Sequence, residues 1–124
     1  MRWFVDGMNV IGSRPDGWWR DREAAMASLV ERLERWSATT DDEVVVVFER
    51  SPRPPIHSTE IEVAHAPRLE ADAADHEIVR RLADPSAAQG ATVVTSDREL
   101  ADRARAAGAS VEPAARFRAR IEGR

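Results

Sequence analysis

Apolar residues fall along the chain in short blocks that alternate between two periods. Trp3-Phe4-Val5 is a continuous apolar run closed by Asp6-Gly7, and it predicts a buried strand. Residues 11–19, with Gly12, Pro15, Asp16 and Gly17, predict a loop. Asp21 stands where a helix cap is expected, and Met26, Leu29, Val30, Leu33 and Trp36 then form one apolar stripe over 22–37. Asp41-Asp42 marks a turn. Val44 to Phe48 is a β-branched and aromatic run, the mark of a strand buried on both faces of a parallel sheet. Ser51 to Pro55 excludes helix and central strand. Ile61, Val63 and His65 alternate with Glu62 and Ala64, which predicts a strand nearer an edge. Ala74, Ile78, Val79 and Leu82 predict a second helix, stopped around Asp84-Pro85. Thr92 to Thr95 reads as a third buried strand. Leu100, Ala101, Ala104 and Ala107 read as a third helix, stopped by Gly108. Ser110-Val111-Glu112 is a last short strand. Phe117 and Ile121 anchor a C-terminal helical turn carrying Arg116, Arg118 and Arg120.

Strands and helices alternate at βα spacing, so the expected fold is α/β, with a mainly parallel sheet carrying helices on its faces. The 124 residues suit a single domain over 1–124. No Cys is present, which excludes disulfides, thiolate metal sites and a Cys nucleophile. No apolar run is long enough to span a membrane, and Asp6 interrupts the N-terminus too early for a signal peptide. A cytoplasmic, membrane-free domain is the expectation.

Charge changes the picture more. All 18 basic side chains are Arg, and 22 acids leave a net charge of -4. Residues 1–97 carry -7 and residues 98–124 carry +3. An acidic body with a basic end suits a cation in one place and phosphate contacts in another.

In parallel sheets, ligands sit beyond the carboxyl ends of the strands. Asp6, Glu49 and Asp97 each follow a predicted strand, so all three should emerge at one edge. Asp72 and Asp75 open the second helix one turn apart, where acids also suit the helix dipole. Clustered carboxylates repel unless a cation or protons offset them, and hard oxygen ligands suit Mg²⁺ or Mn²⁺. Asn9, three residues after Asp6, is placed to support such a site or to form a turn. His57, His65 and His76 lack ligand spacing. With no Lys there is no nucleotide P-loop.

The segment from Ser13 to Arg22 sets Trp18 and Trp19 among Arg14, Arg20 and Arg22. Indole rings stack bases and guanidiniums grip phosphates, although Trp also packs cores. One Trp is expected in the core and one partly exposed. Arg53 in the Pro-rich segment, with Ser96 and Arg98 beside Asp97, completes the expected nucleic-acid contacts.

Val5-Asp6-Gly7-Met8-Asn9-Val10-Ile11, Phe48-Glu49, Ala74-Asp75-His76-Glu77-Ile78 and Val93-Val94-Thr95-Ser96-Asp97-Arg98-Glu99-Leu100, in this order, resemble the NYN domains of the PIN-like nuclease superfamily, in the YacP-like branch. The Gly12 to Arg22 segment resembles an actinobacterial subgroup. The resemblance implies a three-layer α/β/α, Rossmann-type sandwich and metal-dependent endonucleolytic cleavage of RNA. By matching position, Asp6, Asp75 and Asp97 would hold the metal and Asn9 would support the site. Glu49 and Asp72 are further candidate ligands. Glu49 stands where relatives often carry Asp, and His76 where many carry a second acid. These departures leave a one-metal site, or a two-metal site in which Asp72 substitutes for the second acid, as the alternatives.

The reading is a Mg²⁺- or Mn²⁺-dependent endoribonuclease acting on RNA, free or on the ribosome. The Arg-rich end would serve RNA, a ribosome or a dimer partner. Two rivals stand beside it: a non-catalytic RNA- or ribosome-binding module of the same fold, and a metal-dependent phosphatase of small phosphoesters.

Overall fold

The computed structural model describes residues 1–68 and 70–123. The apolar runs form the strands β1 (Arg2–Asp6), β2 (Glu43–Phe48), β3 (Glu62–His65), β4 (Ala91–Val94) and β5 (Ser110–Glu112). All neighbouring pairs are parallel, in the order β3-β2-β1-β4-β5. Val5 on the central strand stands opposite Val46 on one side and Val94 on the other. Ile61 to His65, expected near an edge, does occupy one.

Side-chain alternation decides which layer each strand residue joins. Trp3, Val5, Val44, Val46 and Phe48 meet Met26, Leu29, Val30 and Leu33 of α2 (Arg22–Ser37) and Phe117 and Ile121 of α6 (Ala114–Ile121). Phe4, Val45, Val47 and Val93 meet Ala74, Ile78 and Leu82 of α3 (Ala73–Leu82) and Leu100 and Ala104 of α5 (Arg98–Ala106). The result is three layers, α/β/α. Each fully buried aliphatic or Phe side chain contributes ~1.5–3 kcal/mol of transfer free energy. The predicted cap of α2 is present: Asp21 accepts a hydrogen bond from the backbone N–H of Ala24 at 3.0 Å.

Residues 11–19 are less loop-like than expected. A one-turn helix, α1 (Gly7–Ile11), follows β1 directly, and Trp18–Arg20 forms a 3₁₀ turn. Five residues are too few to display helical periodicity. Likewise Asp84-Pro85 stops α3 but also starts α4 (Pro85–Ala88), because Asp84 caps it and Pro is favourable in a first turn. Among the described residues no helix is long and apolar enough to cross a membrane.

Candidate active site at the carboxyl edge of the sheet

Parallel pairing brings the ends of β1, β2 and β4 to one edge, and three of the predicted acids leave from it. Asp6 ends β1 and is only 5% exposed. Glu49 follows β2 and is exposed. Asp97 caps α5, accepting from the N–H of Leu100 at 2.9 Å. Asp75 reaches the same volume from the first turn of α3, half-buried. Asp72 precedes α3 in a left-handed conformation with φ of 57° and caps nothing through its side chain.

The neighbouring acids bear on the ionisation of Asp6 and Asp75. Burial raises the pKa of Asp6 to about 7, helped by the charges of Asp75 and Glu49 and opposed by the Thr95 hydroxyl and the backbone N–H of Asn9. Burial also raises Asp75 to about 6, with the charges of Asp97, Asp72 and Glu49 adding to it and His76 opposing. Like charges on adjacent strand ends repel, and two of the acids lean on neutral donors. Asp6 Oδ2 accepts from the Thr95 hydroxyl at 3.1 Å, and Asp97 Oδ1 accepts from the helix it caps. As the side chains lie, no three acids or histidines among the described residues gather tightly enough to hold one ion. The donor chemistry nonetheless fits a hard divalent cation. The site is all carboxylate, drawn from separate elements, and two of its members ionise reluctantly without a compensating positive charge.

A second network fixes the backbone around these acids. Asn9, carried by α1, accepts the N–H of Ser96 at 2.8 Å. Ser96 Oγ in turn accepts the N–H of Ala114 at 3.0 Å, joining the turn before α5 to the start of α6. Thr95, 1% exposed, donates to Asp6 and accepts the N–H of Asp97 at 3.1 Å. Sequence reading placed Ser96 among the RNA contacts, whereas here its amide and hydroxyl both serve the turn. It passed over Thr95, whose signal was a hydroxyl at the end of a buried strand, two residues before an acid.

The expected nucleic-acid contacts divide in two. Arg14 pairs with Glu122 at 2.9 Å, and Trp18 is half-buried against the core beneath Arg22, whose guanidinium stands 5.3 Å from its ring centroid. Trp19 is 50% exposed with Arg20 beside it, and Arg22, Arg53 and Arg98 are also exposed. The two indoles therefore differ much as expected, with Trp18 half-buried and not wholly enclosed. His65 contacts the Ala66 carbonyl, and His76, which lines a small hollow with Asp72 and Asp75, pairs with Glu70 at 3.0 Å. A cleft of about 410 Å³ lies elsewhere, between α1, α2 and α6 and lined in part by Val10, Trp18, Arg32 and Arg118.

The fold matches solved structures. Crystal structures of Rae1 (YacP) from Bacillus subtilis superpose with TM-scores of 0.78 for the protein and 0.79 for a single-substitution mutant. They are 24% and 25% identical to this chain, and the matches cover 99% of it and 74% and 75% of theirs. No curated protein matches the chain. The family model of the YacP-like NYN domain matches residues 3–123, and the chain belongs to that family.

Proposed function

We propose that the chain is a metal-dependent endoribonuclease that hydrolyses RNA phosphodiester bonds at the carboxyl edge of its sheet. The observation that carries this reading is the placement of Asp6, Glu49 and Asp97 at the carboxyl ends of the parallel strands β1, β2 and β4, with Asp75 in the first turn of α3. Membership of the YacP-like NYN family supports an enzyme of nuclease type.

Asp6, Asp75 and Asp97 would hold Mg²⁺ or Mn²⁺, with Glu49 and Asp72 at the margin of the site. When bound, the ion supplies a Lewis acid that offsets charge developing on the phosphate and eases deprotonation of the attacking water. Asp97 or Asp75 would orient that water. Asn9 holds the Ser96 amide and so fixes the turn that carries Asp97. Attack of water on phosphorus with loss of the 3′-oxygen leaves a 5′-phosphate and a 3′-hydroxyl.

Asp97→Asn tests the reading. Asn caps helices as well as Asp does, so α5 keeps its start while the carboxylate is lost. Mn²⁺-dependent cleavage of a labelled RNA should disappear with the circular dichroism spectrum unaltered. Full activity in this variant would overturn the assignment of Asp97. If the native chain binds RNA in Ca²⁺ yet leaves it intact through long incubation in Mn²⁺, it is a binding module of the same fold.

A further inference from the structure

The arginines divide into two populations. Among the described residues, ten have an acidic partner within 4.0 Å and seven do not. The paired ones include Arg35, Arg80, Arg81, Arg103 and Arg105, all in the C-terminal halves of α2, α3 and α5. Those halves run toward the edge opposite the acidic site. Of the seven without a partner, only Arg32 lies in mid-helix. The other six all stand beyond the carboxyl ends of strands: Arg20 and Arg22 after β1, Arg53 after β2, Arg68 after β3, Arg98 after β4 and Arg116 after β5. Each is exposed.

We propose that these six guanidiniums form a track for one single-stranded polynucleotide, which crosses the ends of all five strands and passes over the acids at its middle. The proposal rests on the nuclease reading and adds to it the course and extent of the substrate. Of the described arginines in 98–124, Arg98 and Arg116 join the track, whereas Arg103, Arg105, Arg118 and Arg120 are engaged within the protein.

The geometry sets the scale. Five strands at about 4.8 Å spacing span about 19 Å, the reach of a few nucleotides of extended chain. Arg68 marks one end and Arg116 the other. Arg116 is held near the turn carrying Asp97, because the first amide of α6 binds Ser96. Between them, Arg22 lines a small hollow with Met8, Met26 and Glu49, at the margin of the acidic site. Arg50 in the same hollow is held by Glu23 at 2.6 Å and is not counted in the track. Trp19 supplies an indole half open to solvent, with the Arg20 guanidinium 6.0 Å from its centroid. An unpaired base can stack there and a base held in a duplex cannot. That favours a single strand.

Binding in Ca²⁺, where cutting is not needed, tests the track apart from catalysis. Oligouridylates of increasing length would be titrated over a range of salt concentrations. Affinity should rise from the dinucleotide until about six phosphates are engaged, and then level off. For six phosphate contacts the plot of log K against log salt should have a slope near -4 at the longer length. Arg68→Gln and Arg116→Gln should each reduce that slope by about 0.7, and the double variant should remove much of the gain with length. Trp19→Ala should weaken single-strand binding about tenfold or more, as loss of one stacked base does. A slope near -1 at every length, end variants that leave it unaltered, or equal affinity for a duplex would overturn the track. Native protein that binds in this manner but never cuts in Mn²⁺ would overturn the nuclease reading instead.

Discussion

The Thr95 hydroxyl donates to Asp6 Oδ2 at 3.1 Å, joining residues 89 apart in sequence at the ends of adjacent strands. The same oxygen accepts the N–H of Asp97 at 3.1 Å. One buried hydroxyl thus serves two of the three proposed metal-holding acids. Thr95→Val keeps the shape but removes donor and acceptor together. It should cost about 1–3 kcal/mol in urea unfolding, because a buried carboxylate and a backbone N–H lose their partner. It should also weaken Mn²⁺-dependent cleavage. Thr95→Ser, which keeps the hydroxyl, should recover most of both. Equal stability of the Val variant and the native chain would refute this account.

Gly7 is required by proximity. A Cβ at this position would lie 2.5 Å from Cε1 and 2.7 Å from Cδ1 of Phe48, a rigid ring buried in the sheet. Gly7→Ala should therefore displace α1, and with it Asn9, at a cost of about 1–3 kcal/mol, as overpacked cores generally do. Because the clash is with one ring, the cost should couple to it. In a double-mutant cycle with Phe48→Leu, the combined loss should be smaller than the sum of the single losses. Strict additivity would place the strain elsewhere.

These two contacts also mark how far the sequence could be read. The run Val44 to Phe48, the Asp21 cap and the stripe from Met26 to Trp36 are local patterns, and they yielded β2 and α2 nearly to the residue. Convergence of Asp6, Glu49 and Asp97 followed from parallel pairing alone. What stayed hidden depends on tertiary neighbours. Asn9 is open between supporting the site and forming a turn until Ser96 is seen beside it, and no local pattern shows how close Gly7 lies to Phe48. The +3 of the C-terminal end looked like a phosphate surface, but its cations are mostly spent on Glu99, Asp102, Glu112, Asp16 and Glu122. Net charge by segment cannot tell a paired arginine from a free one.

The raised carboxyls give a pH dependence of definite sign. In the folded chain Asp6 titrates at about 7 and Asp75 at about 6, against 3.8 for an ordinary Asp. Between pH 4 and 7 the folded state holds protons that the unfolded chain has released. Their contribution to stability is therefore lost as pH rises through that window. Asp6 alone costs on the order of 4 kcal/mol above pH 7. Other acids, such as Glu77 beside Arg80, are shifted downward and act in the opposite sense. The informative quantity is thus the difference between the native chain and Asp6→Asn. In chelator the variant should be the more stable at pH 8, and the gap should narrow as pH falls below 7 and close below the ordinary Asp value of 3.8. Mn²⁺ at pH 8 should raise the melting temperature of the native chain much more than that of the variant. A pH-independent difference would contradict the proposed repulsion.

Arg118 supports the site from behind. Its side chain, 16% exposed, crosses from α6 to the end of α1, donating to the carbonyls of Ile11 at 3.0 Å and Val10 at 3.4 Å. It also donates to Asp16 at 2.6 Å and to Glu122 at 3.3 Å. Glu122 is well buried, yet Arg118 and Arg14 hold its pKa below the ordinary value against that burial. Arg14 stands 2.9 Å from Glu122 Oε1 but is not aligned for a hydrogen bond, so Arg118 is the better-placed partner. Arg118→Met fills similar space, removes the side-chain donor of the Ile11 carbonyl and leaves Glu122 to Arg14 alone. A part-buried polar group that loses its partner costs about 1–3 kcal/mol, and a loss of that order is expected in urea unfolding. The defect should reach Asn9, which rides on the same single-turn helix, and show as reduced cleavage under conditions where the protein is still folded. Arg118→Met with Glu122→Gln should recover part of that stability, since the under-compensated charge is then gone. Recovery of stability without recovery of cleavage would separate the two roles of Arg118: balancing Glu122, and holding the C-terminal end of α1 in the position that Asn9 needs.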